Sequence, residues 1–304
     1  MHEFNLIQEY FTWDNPPSNI SVAVGDDATV LDFPAGKQLV TSIDTLISGV
    51  HFPDNTPANA VGHKALAVNL SDLAAMGATP KWFTLALTLP EIDRDWLKGF
   101  SDGLKALADQ HHCFLVGGDT TRGPLSISIQ VMGLVDKGRA LLRSGAKAGD
   151  KIYVTGTLGD AAVGLQSESD DFCKQRLNYP TPRLAESRVI KDYASACIDI
   201  SDGFLQDLSH ILKASTVGAN LKLFSLPLST SLKEMDQKIA MKHALSGGDD
   251  YELLFTIPEK KEKEFLTIIA NKATCIGVIN KSKEQITDES GNSLTSTGYN
   301  HFHD

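Results

Sequence analysis

Seven aspartates stand outside charged runs, each set among apolar strand-like segments and glycines: Asp27, Asp44, Asp119, Asp199, Asp202, Asp249 and Asp250. Hard oxygen ligands in excess of nearby basic residues suit Mg²⁺, which favours carboxylates, waters and substrate phosphates, and several ions could share such a set. Asp72 carries a different signature. On a helix, Val61, Ala65, Val68 and Asp72 step along one face at spacings of four, three and four. Its carboxylate therefore shares a stripe expected to face the core, where an unpaired charge is very costly and a cation or hydrogen-bond donors are needed. Any one aspartate before a glycine or a helix can be only a turn or a cap; the whole set points to cation chemistry.

Glycines supply the other half of a phosphate site. Gly117-Gly118 and Gly247-Gly248, each followed by Asp, let the backbone approach an anion closely. The chain has no G-x-x-x-x-G-K-[ST] loop, no G-x-G-x-x-G and no H-R-D with D-F-G, so a phosphotransferase here would belong to none of those classes. Asp199-Ile-Ser-Asp-Gly203 lacks the alternating ligands and closing Glu of a calcium loop. Arg143 could clamp a phosphate or be a solvated side chain beside a linker. His51 is open between a substrate contact and a turn histidine, and Ser201 between a nucleotide or metal contact and an ordinary helix cap. Tyr299, His301 and His303 lie in a segment whose default is a mobile tail.

The elements that must position these groups alternate between strand and helix patterns, giving an α/β (α+β) class. Ser21 to Val24 and Gln38 to Ile43 read as strands that deliver Gly25-Asp26-Asp27 and Asp44-Thr45 into turns. Ala60 to Met76 reads as a helix closed by Gly77, Trp82 to Leu89 as a strand, and Asp93 to Gln110 as an amphipathic helix. Cys113 to Val116 reads as a short strand ending before Gly117, and Leu125 to Val135 as another strand. The connector Gly145 to Asp150 sets a boundary between domains 1–147 and 148–304. Beyond it come strand Ile152 to Thr155, helix Asp160 to Gln166, an exposed bend at Ser167 to Asp171, helix Leu184 to Tyr193, strand Ala196 to Ile200 and helix Phe204 to Ala214. Strand Tyr251 to Ile257, helix Glu259 to Ala270 and strand Thr274 to Ile279 complete the pattern. Gly-Gly-Asp at 117–119 and 247–249, with Ser-Asp at 71–72 and 201–202, suggests an internal repeat.

With 304 residues, 42% of them hydrophobic, the chain can bury a sizeable core, more often as two domains than one. The 28 Lys and Arg against 38 Asp and Glu leave a net charge of −10, which opposes a nucleic-acid partner; cations bound in an acidic site can still invert its sign locally for a small phosphate. Cys113, Cys173, Cys197 and Cys275 have no zinc-like spacing and are expected as reduced structural thiols. No stretch reaches membrane-span length and the first residues lack secretory features, so a cytoplasmic protein without membrane partners is expected.

Gly25-Asp26-Asp27, Ser42-Ile43-Asp44-Thr45, the run from Lys64 through Asn69-Leu-Ser-Asp72 to Gly77, Gly117-Gly-Asp-Thr-Thr-Arg-Gly123 and Ser246-Gly-Gly-Asp-Asp-Tyr-Glu252 occur in that order. Together, over about Phe4 to Phe302, they resemble the thiamine-monophosphate kinase family. The resemblance implies the two-domain fold shared with aminoimidazole-ribonucleotide synthetase and selenophosphate synthetase: an N-terminal domain that homodimerises through its sheet and a C-terminal α/β domain. It implies Mg²⁺-dependent, direct in-line phosphorylation of thiamine monophosphate by ATP to thiamine diphosphate, without a general base. Carried over by position, the metal-site residues would be Asp27, Ser42, Asp44, Asp72, Asp119, Asp199 and Asp202, with Asp72, Asp119 and Asp202 stabilising charge. ATP would contact Gly118, Asp119, Arg143 and Ser201; thiamine phosphate would contact His51, Asp250 and Tyr299. Two positions depart from the family pattern. Ile43 stands where relatives often carry a hydroxyl, so a metal contact there would use its carbonyl, and Asp249 replaces the Glu of Gly-Gly-Glu-Asp.

Two other readings compete. Another ATP-using enzyme of the same superfamily is one; a selenophosphate synthetase would carry a reactive Cys near its start, and Met1 to Ser21 has none. A non-catalytic acidic metal-binding protein is the other, to be favoured by Ca²⁺ binding without ATP turnover.

Overall fold

The computed structural model describes residues 3–24, 28–167, 169–269, 271–295 and 298–299. The chain divides into two compact units, Met1–Leu73 with Ala78–Gly138, and Ala74–Gly77 with Arg139–Asp304. No helix among the described residues is long and apolar enough to cross a membrane.

The first unit contains α1 (Glu3–Leu6) continuing into a π-helical turn (Ile7–Phe11), β1 (Ile20–Val22), β2 (Val30–Leu31), β3 (Lys37–Ile47), α2 (Ala58–Ala75), β4 (Thr79–Leu89), α3 (Arg94–His111), β5 (Phe114–Arg122) and β6 (Ser126–Asp136). Four strands form one sheet in the order β3-β6-β4-β5, with β4 and β5 parallel and the other pairs antiparallel. α3 starts where Asp93 accepts the N–H groups of Asp95 and Trp96 at 2.9 and 3.1 Å, and it buries Leu97, Phe100, Leu104, Leu107 and Ala108 at helical spacing. α2 is buried nearly all round, its polar Lys64, Asn69 and Ser71 included: Ala65, Leu66, Leu70 and Leu73 have no exposed surface. Val61, Ala65 and Val68 are buried as their spacing predicts, and Asp72 at the end of that stripe is half-buried.

The second unit contains β7 (Lys151–Thr155), α4 (Asp160–Gln166), α5 (Asp171–Asn178), α6 (Leu184–Tyr193), β8 (Ala196–Asp199), α7 (Phe204–Ser215), β9 (Gly218–Leu221), a 3₁₀ turn (Leu223–Ser225), α8 (Thr230–Lys233), α9 (Gln237–Ser246), β10 (Leu253–Ile257), α10 (Glu259–Ile269), β11 (Ala273–Asn280) and β12 (Ile286–Thr287). Its sheet runs β12-β9-β11-β7-β10-β8. β10 is buried along its whole length between β7 and β8, which is why it reads as an unbroken apolar run. Its neighbours Val154 and Ile198 share a core with Phe204, Leu208 and Ile211 of α7. That packing fixes the N-terminus of α7 against the sheet; burying Phe204 contributes on the order of 2 kcal/mol.

Several expectations are corrected here. β3 does not stop at Ile43 but pairs with β6 as far as Ile47↔Ser126, so Asp44 lies within a strand rather than at its turn. β5 likewise continues through Gly117, Gly118 and Asp119 because it pairs with β4 up to Leu89↔Arg122. Ser169 is an exposed bend as expected, while Asp171 already starts α5, whose N-cap Asp170 accepts the Cys173 N–H at 2.9 Å. β9, α8, α9 and β12 were not foreseen. The paired motifs lie in unlike local structures, Gly117-Gly-Asp119 in a strand and Gly247-Gly-Asp249 in a loop, which removes the suggestion of a repeat.

Candidate functional site

In the first unit, β3 and α2 bring three of the expected metal-site residues together. Ser42 and Asp44 alternate with Ile43 and share one side of β3, while Ile43 points outward and is 61% exposed. Ser42 Oγ donates to Asp72 Oδ2 at 2.5 Å. β3 is an edge strand, and the outward N–H of Asp44 is taken by Asn69 Oδ1 at 3.1 Å. Asn69 is itself fully buried and donates to Ala65 O at 3.0 Å, so the helix holds both the strand edge and its carboxylate. Burial, then the charge of Asp72, pushes the Asp44 carboxyl up to about 7. Two carboxylates and a hydroxyl presented in this way are hard oxygen donors of the kind that hold Mg²⁺.

Asp119 is exposed on β5 beside Gly117 and Gly118, which sit where the β4–β5 register shifts. Gly118 has φ +152°, and a Cβ there would fall 1.8 Å from Leu85 O, so no other residue fits without moving the strand. The cleft above these glycines is walled by Ile7, Phe11, Val24, Leu85 and Leu115, apolar except at its Gly117–Thr120 edge. His51 Nδ1 accepts the Ile47 N–H at 3.0 Å, and its carbonyl accepts Lys64 Nζ at 3.3 Å, which locks the ring at the end of β3. Asp27 lies outside the described residues.

In the second unit, Asp199 is buried at the end of β8, and Ser201 and Asp202 sit half-buried in the turn that enters α7. Three amides of this turn, from Ser201, Asp202 and Gly203, donate to one oxygen of Asp207, Oδ2, at 3.1, 3.2 and 3.1 Å. Asp207 is buried, and its carboxyl is pushed up to about 7 by burial and the Asp202 charge, against the pull of those amides. Among the described residues, Asp202, Asp207 and His210 form a group offering ligand atoms within 4.8 Å of one another. The convergence of three amides marks Asp207 first as the brace of the turn. Burial and the neighbouring Arg143 guanidinium hold the His210 imidazole below its ordinary value. Arg143 is itself exposed.

The Gly247–Glu252 segment packs under the same turn. Asp249 N–H donates to Ser201 O at 2.9 Å and Tyr251 N–H to Ile200 O at 2.8 Å, with Asp249 and Tyr251 at φ 66° and 50°. Asp250 is buried, and both its oxygens accept the Gly159 N–H, at 3.0 and 2.9 Å; desolvation holds its carboxyl well above the usual range. Glu252 has no exposed surface and receives Arg176 Nη2 at 2.6 Å, Arg183 Nε at 2.6 Å and Thr155 Oγ1 at 2.6 Å. Tyr299 is 46% exposed, and its N–H donates to Asp202 O at 3.0 Å; His301 and His303 lie outside the described residues. Asn69, Asp207, Gln206, Arg176 and Arg183 were missed from the sequence. A signal existed for Asp207, which lies in the apolar stripe of α7 as Asp72 does in that of α2.

Two family models match the chain: AIR synthase related protein, N-terminal domain, over residues 25–135, and AIR synthase related protein, C-terminal domain, over residues 147–289. The chain is 46% identical to the thiamine-monophosphate kinase of Salmonella typhimurium over 321 residues, covering 99% of this chain and 98% of that one. Among solved structures it is similar to the thiamine-monophosphate kinase from Stenotrophomonas maltophilia K279a, with TM-score 0.86, 44% identity and coverage of 91% and 93% of the two chains. It is also similar to AaThiL complexed with AMPPCP and TMP, with TM-score 0.81, 32% identity and coverage of 98% and 96%.

Proposed function

The chain belongs to the thiamine-monophosphate kinase family, with its mixed α/β, two-domain AIR synthase-related fold, and from that premise we propose that it phosphorylates thiamine monophosphate with ATP to give thiamine diphosphate. The full-length kinship carries the substrate class. The acidic group on β3 and α2 supplies the physical reason: acceptor and donor are both polyanions, and such a transfer depends on positioning and on neutralising charge rather than on a general base.

Asp44, Asp72 and Ser42 fit Mg²⁺ by their donor chemistry, and a cation would relieve both the burial and the Asp72 charge that push Asp44 up. We assign Asp27, Asp119, Asp199 and Asp202 as further metal-site residues. Bound Mg²⁺ would offset phosphate charge as transfer proceeds. Gly118, Asp119, Arg143 and Ser201 face the nucleotide in this proposal. His51, its ring fixed through Nδ1, and the exposed ring of Tyr299 face thiamine monophosphate. Asp250, expected to touch that substrate, is buried with its carboxylate on Gly159, so we give it the task of holding the 247–250 turn. Transfer is direct and in line, with no phosphorylated side chain.

Residues 1–147 and 148–304 are the functional division in this proposal, the first part dimerising through its sheet. Leu39, Ile43 and Ile47, exposed at intervals of four residues and so on one side of β3, support a homodimer. The free cysteines fit a reducing cytoplasm.

The test is a product assay with ATP and, side by side, thiamine monophosphate, thiamine and an aminoimidazole precursor. Thiamine diphosphate formed only from the monophosphate is expected. No product from the monophosphate, or an equal rate with another acceptor, overturns the proposal.

A further inference from the structure

Gly298 and Tyr299 are seated on the turn that carries Asp202. The Tyr299 N–H donates to Asp202 O at 3.0 Å. Gln206, one turn into α7, donates from Nε2 to Tyr299 O at 3.0 Å and to Asp202 Oδ2 at 3.0 Å. A primary amide has two N–H donors, which matches one to each acceptor. The bonds close a ring: Asp202 carbonyl, Tyr299 N–H, Tyr299 carbonyl, Gln206 amide, Asp202 carboxylate. Gly298 makes the seat possible, since a Cβ there would lie 2.7 Å from Asp202 O and 2.5 Å from Gln206 Oε1, both under the 3.0 Å limit of real contacts.

Nothing in local structure requires this ring. α7 is already started by the three amides on Asp207, and Asp202 needs no help from Gln206 to stay in its turn. What Gln206 adds is orientation. A hydrogen bond to one oxygen of a carboxylate fixes how the other is presented, which is how outer groups tune a cation ligand. The same amide fixes the carbonyl of the residue whose ring is exposed beside it.

Resting on the roles proposed above for Asp202 toward metal and nucleotide and for Tyr299 toward thiamine monophosphate, we propose that Gln206 is a positioning residue that couples the binding of the two substrates. A ligand that holds either end of the ring, Asp202 or Tyr299, narrows the freedom of the other end through Gln206, so the second ligand loses less freedom on binding, which is positive cooperativity without a change of structure. Linkage makes the effect reciprocal: each substrate tightens the other by the same factor.

The experiment is calorimetric titration of the full chain with AMPPCP in Mg²⁺, and separately with thiamine monophosphate, each alone and with the other saturating. Wild type, Gln206→Ala and Gly298→Ala are compared, with melting curves to establish folding. Wild type is expected to show mutual tightening of about 5-fold or more, the lower end of ordinary coupling. Gln206→Ala should bring the factor to within about 2-fold of unity while both ligands still bind singly. Gly298→Ala, whose methyl would crowd Asp202 O and Gln206 Oε1, should do the same, and it decides the matter if Gln206→Ala does not fold. Equal coupling in wild type and both variants, or none in wild type, overturns the inference. Failure of the wild-type chain to bind thiamine monophosphate at all would instead sink the functional proposal beneath it.

Discussion

Removing the Asp207 carboxylate tests whether the Ser201–Gly203 turn is built by one buried oxygen. Asp207→Ala strands three amide donors that now sit 3.1, 3.2 and 3.1 Å from Oδ2. Hydrogen bonds to a charged acceptor contribute about 1.5 to 3 kcal/mol each, but three donors sharing one oxygen at the long end of the distance range do not add fully. About 1 kcal/mol per amide is the sounder figure, hence about 3 kcal/mol for the substitution. In a body of this size each kcal/mol lowers the melting temperature by about 2 to 4 °C, so a fall of about 6 to 12 °C is expected. Asp207→Asn keeps one oxygen for the three amides while losing the charge and turning the other oxygen into an NH₂; it should cost about 1 kcal/mol and about 2 to 4 °C. The assay is thermal unfolding followed by circular dichroism, paired with titration of AMPPCP in Mg²⁺. AMPPCP affinity should fall by about tenfold or more in the Ala variant and recover most of the way in the Asn variant, because geometry rather than charge is being lost. An Ala variant that melts within about a degree of wild type would refute the brace. An Asn variant that melts normally but binds as poorly as Ala would make Asp207 a cation ligand instead.

Asp72→Asn keeps the size and loses the charge, so turnover should be abolished in a protein that melts normally; near-normal rates at ordinary Mg²⁺ would remove Asp72 from the chemistry. Arg143→Ala should raise the KM for ATP more than that for thiamine monophosphate, and the reverse split in steady-state kinetics would reassign this exposed guanidinium. Tyr299→Ala should weaken thiamine monophosphate by roughly 1 to 2 kcal/mol through lost stacking on a cationic ring, with Tyr299→Phe losing much less and AMPPCP nearly unchanged; equal affinities by calorimetry would leave the ring without a role.

Periodicity made α2 and its acidic stripe legible, because a run from Val61 to Asp72 at helical spacing has no other way to bury its apolar members. The ends of β3 and β5 were not legible, since Asp44-Thr45 and Gly117-Gly118 look like turn chemistry in isolation. What carries β3 and β5 through those residues is the partner strand: β6 pairs with β3 to Ile47 and β4 pairs with β5 to Arg122, and no local signal encodes that register. α8 has only four residues, and β12 only two, each too short to show a period. The site divided along the same line. Aspartates ahead of a glycine or beside an apolar run were visible, whereas Asn69, Gln206 and Arg183 act through distant contacts that only folding creates.

The acidic pair of the first unit could not relieve its repulsion by moving. Asp44 belongs to a strand whose eleven register pairs with β6 fix it lengthwise, and its own N–H is tied to Asn69 on α2. Asp72 belongs to that same helix, three residues along from Asn69, and is tied to Ser42 two residues before Asp44. Strand and helix are thus cross-linked twice, once through each partner, and the carboxylates are held at a separation set by the backbone. A fold that only needed stability would place apolar groups here, since well-packed hydrophobic residues do better than two half-buried carboxylates side by side. Rigid presentation of two such groups costs stability in the isolated chain and lowers the cost of capturing a cation, because nothing has to be reorganised when one arrives. The chain's net charge of −10 bears on the same proposal: a protein that repels phosphate overall gains from cations that reverse the local sign, which is the role we propose for this pair.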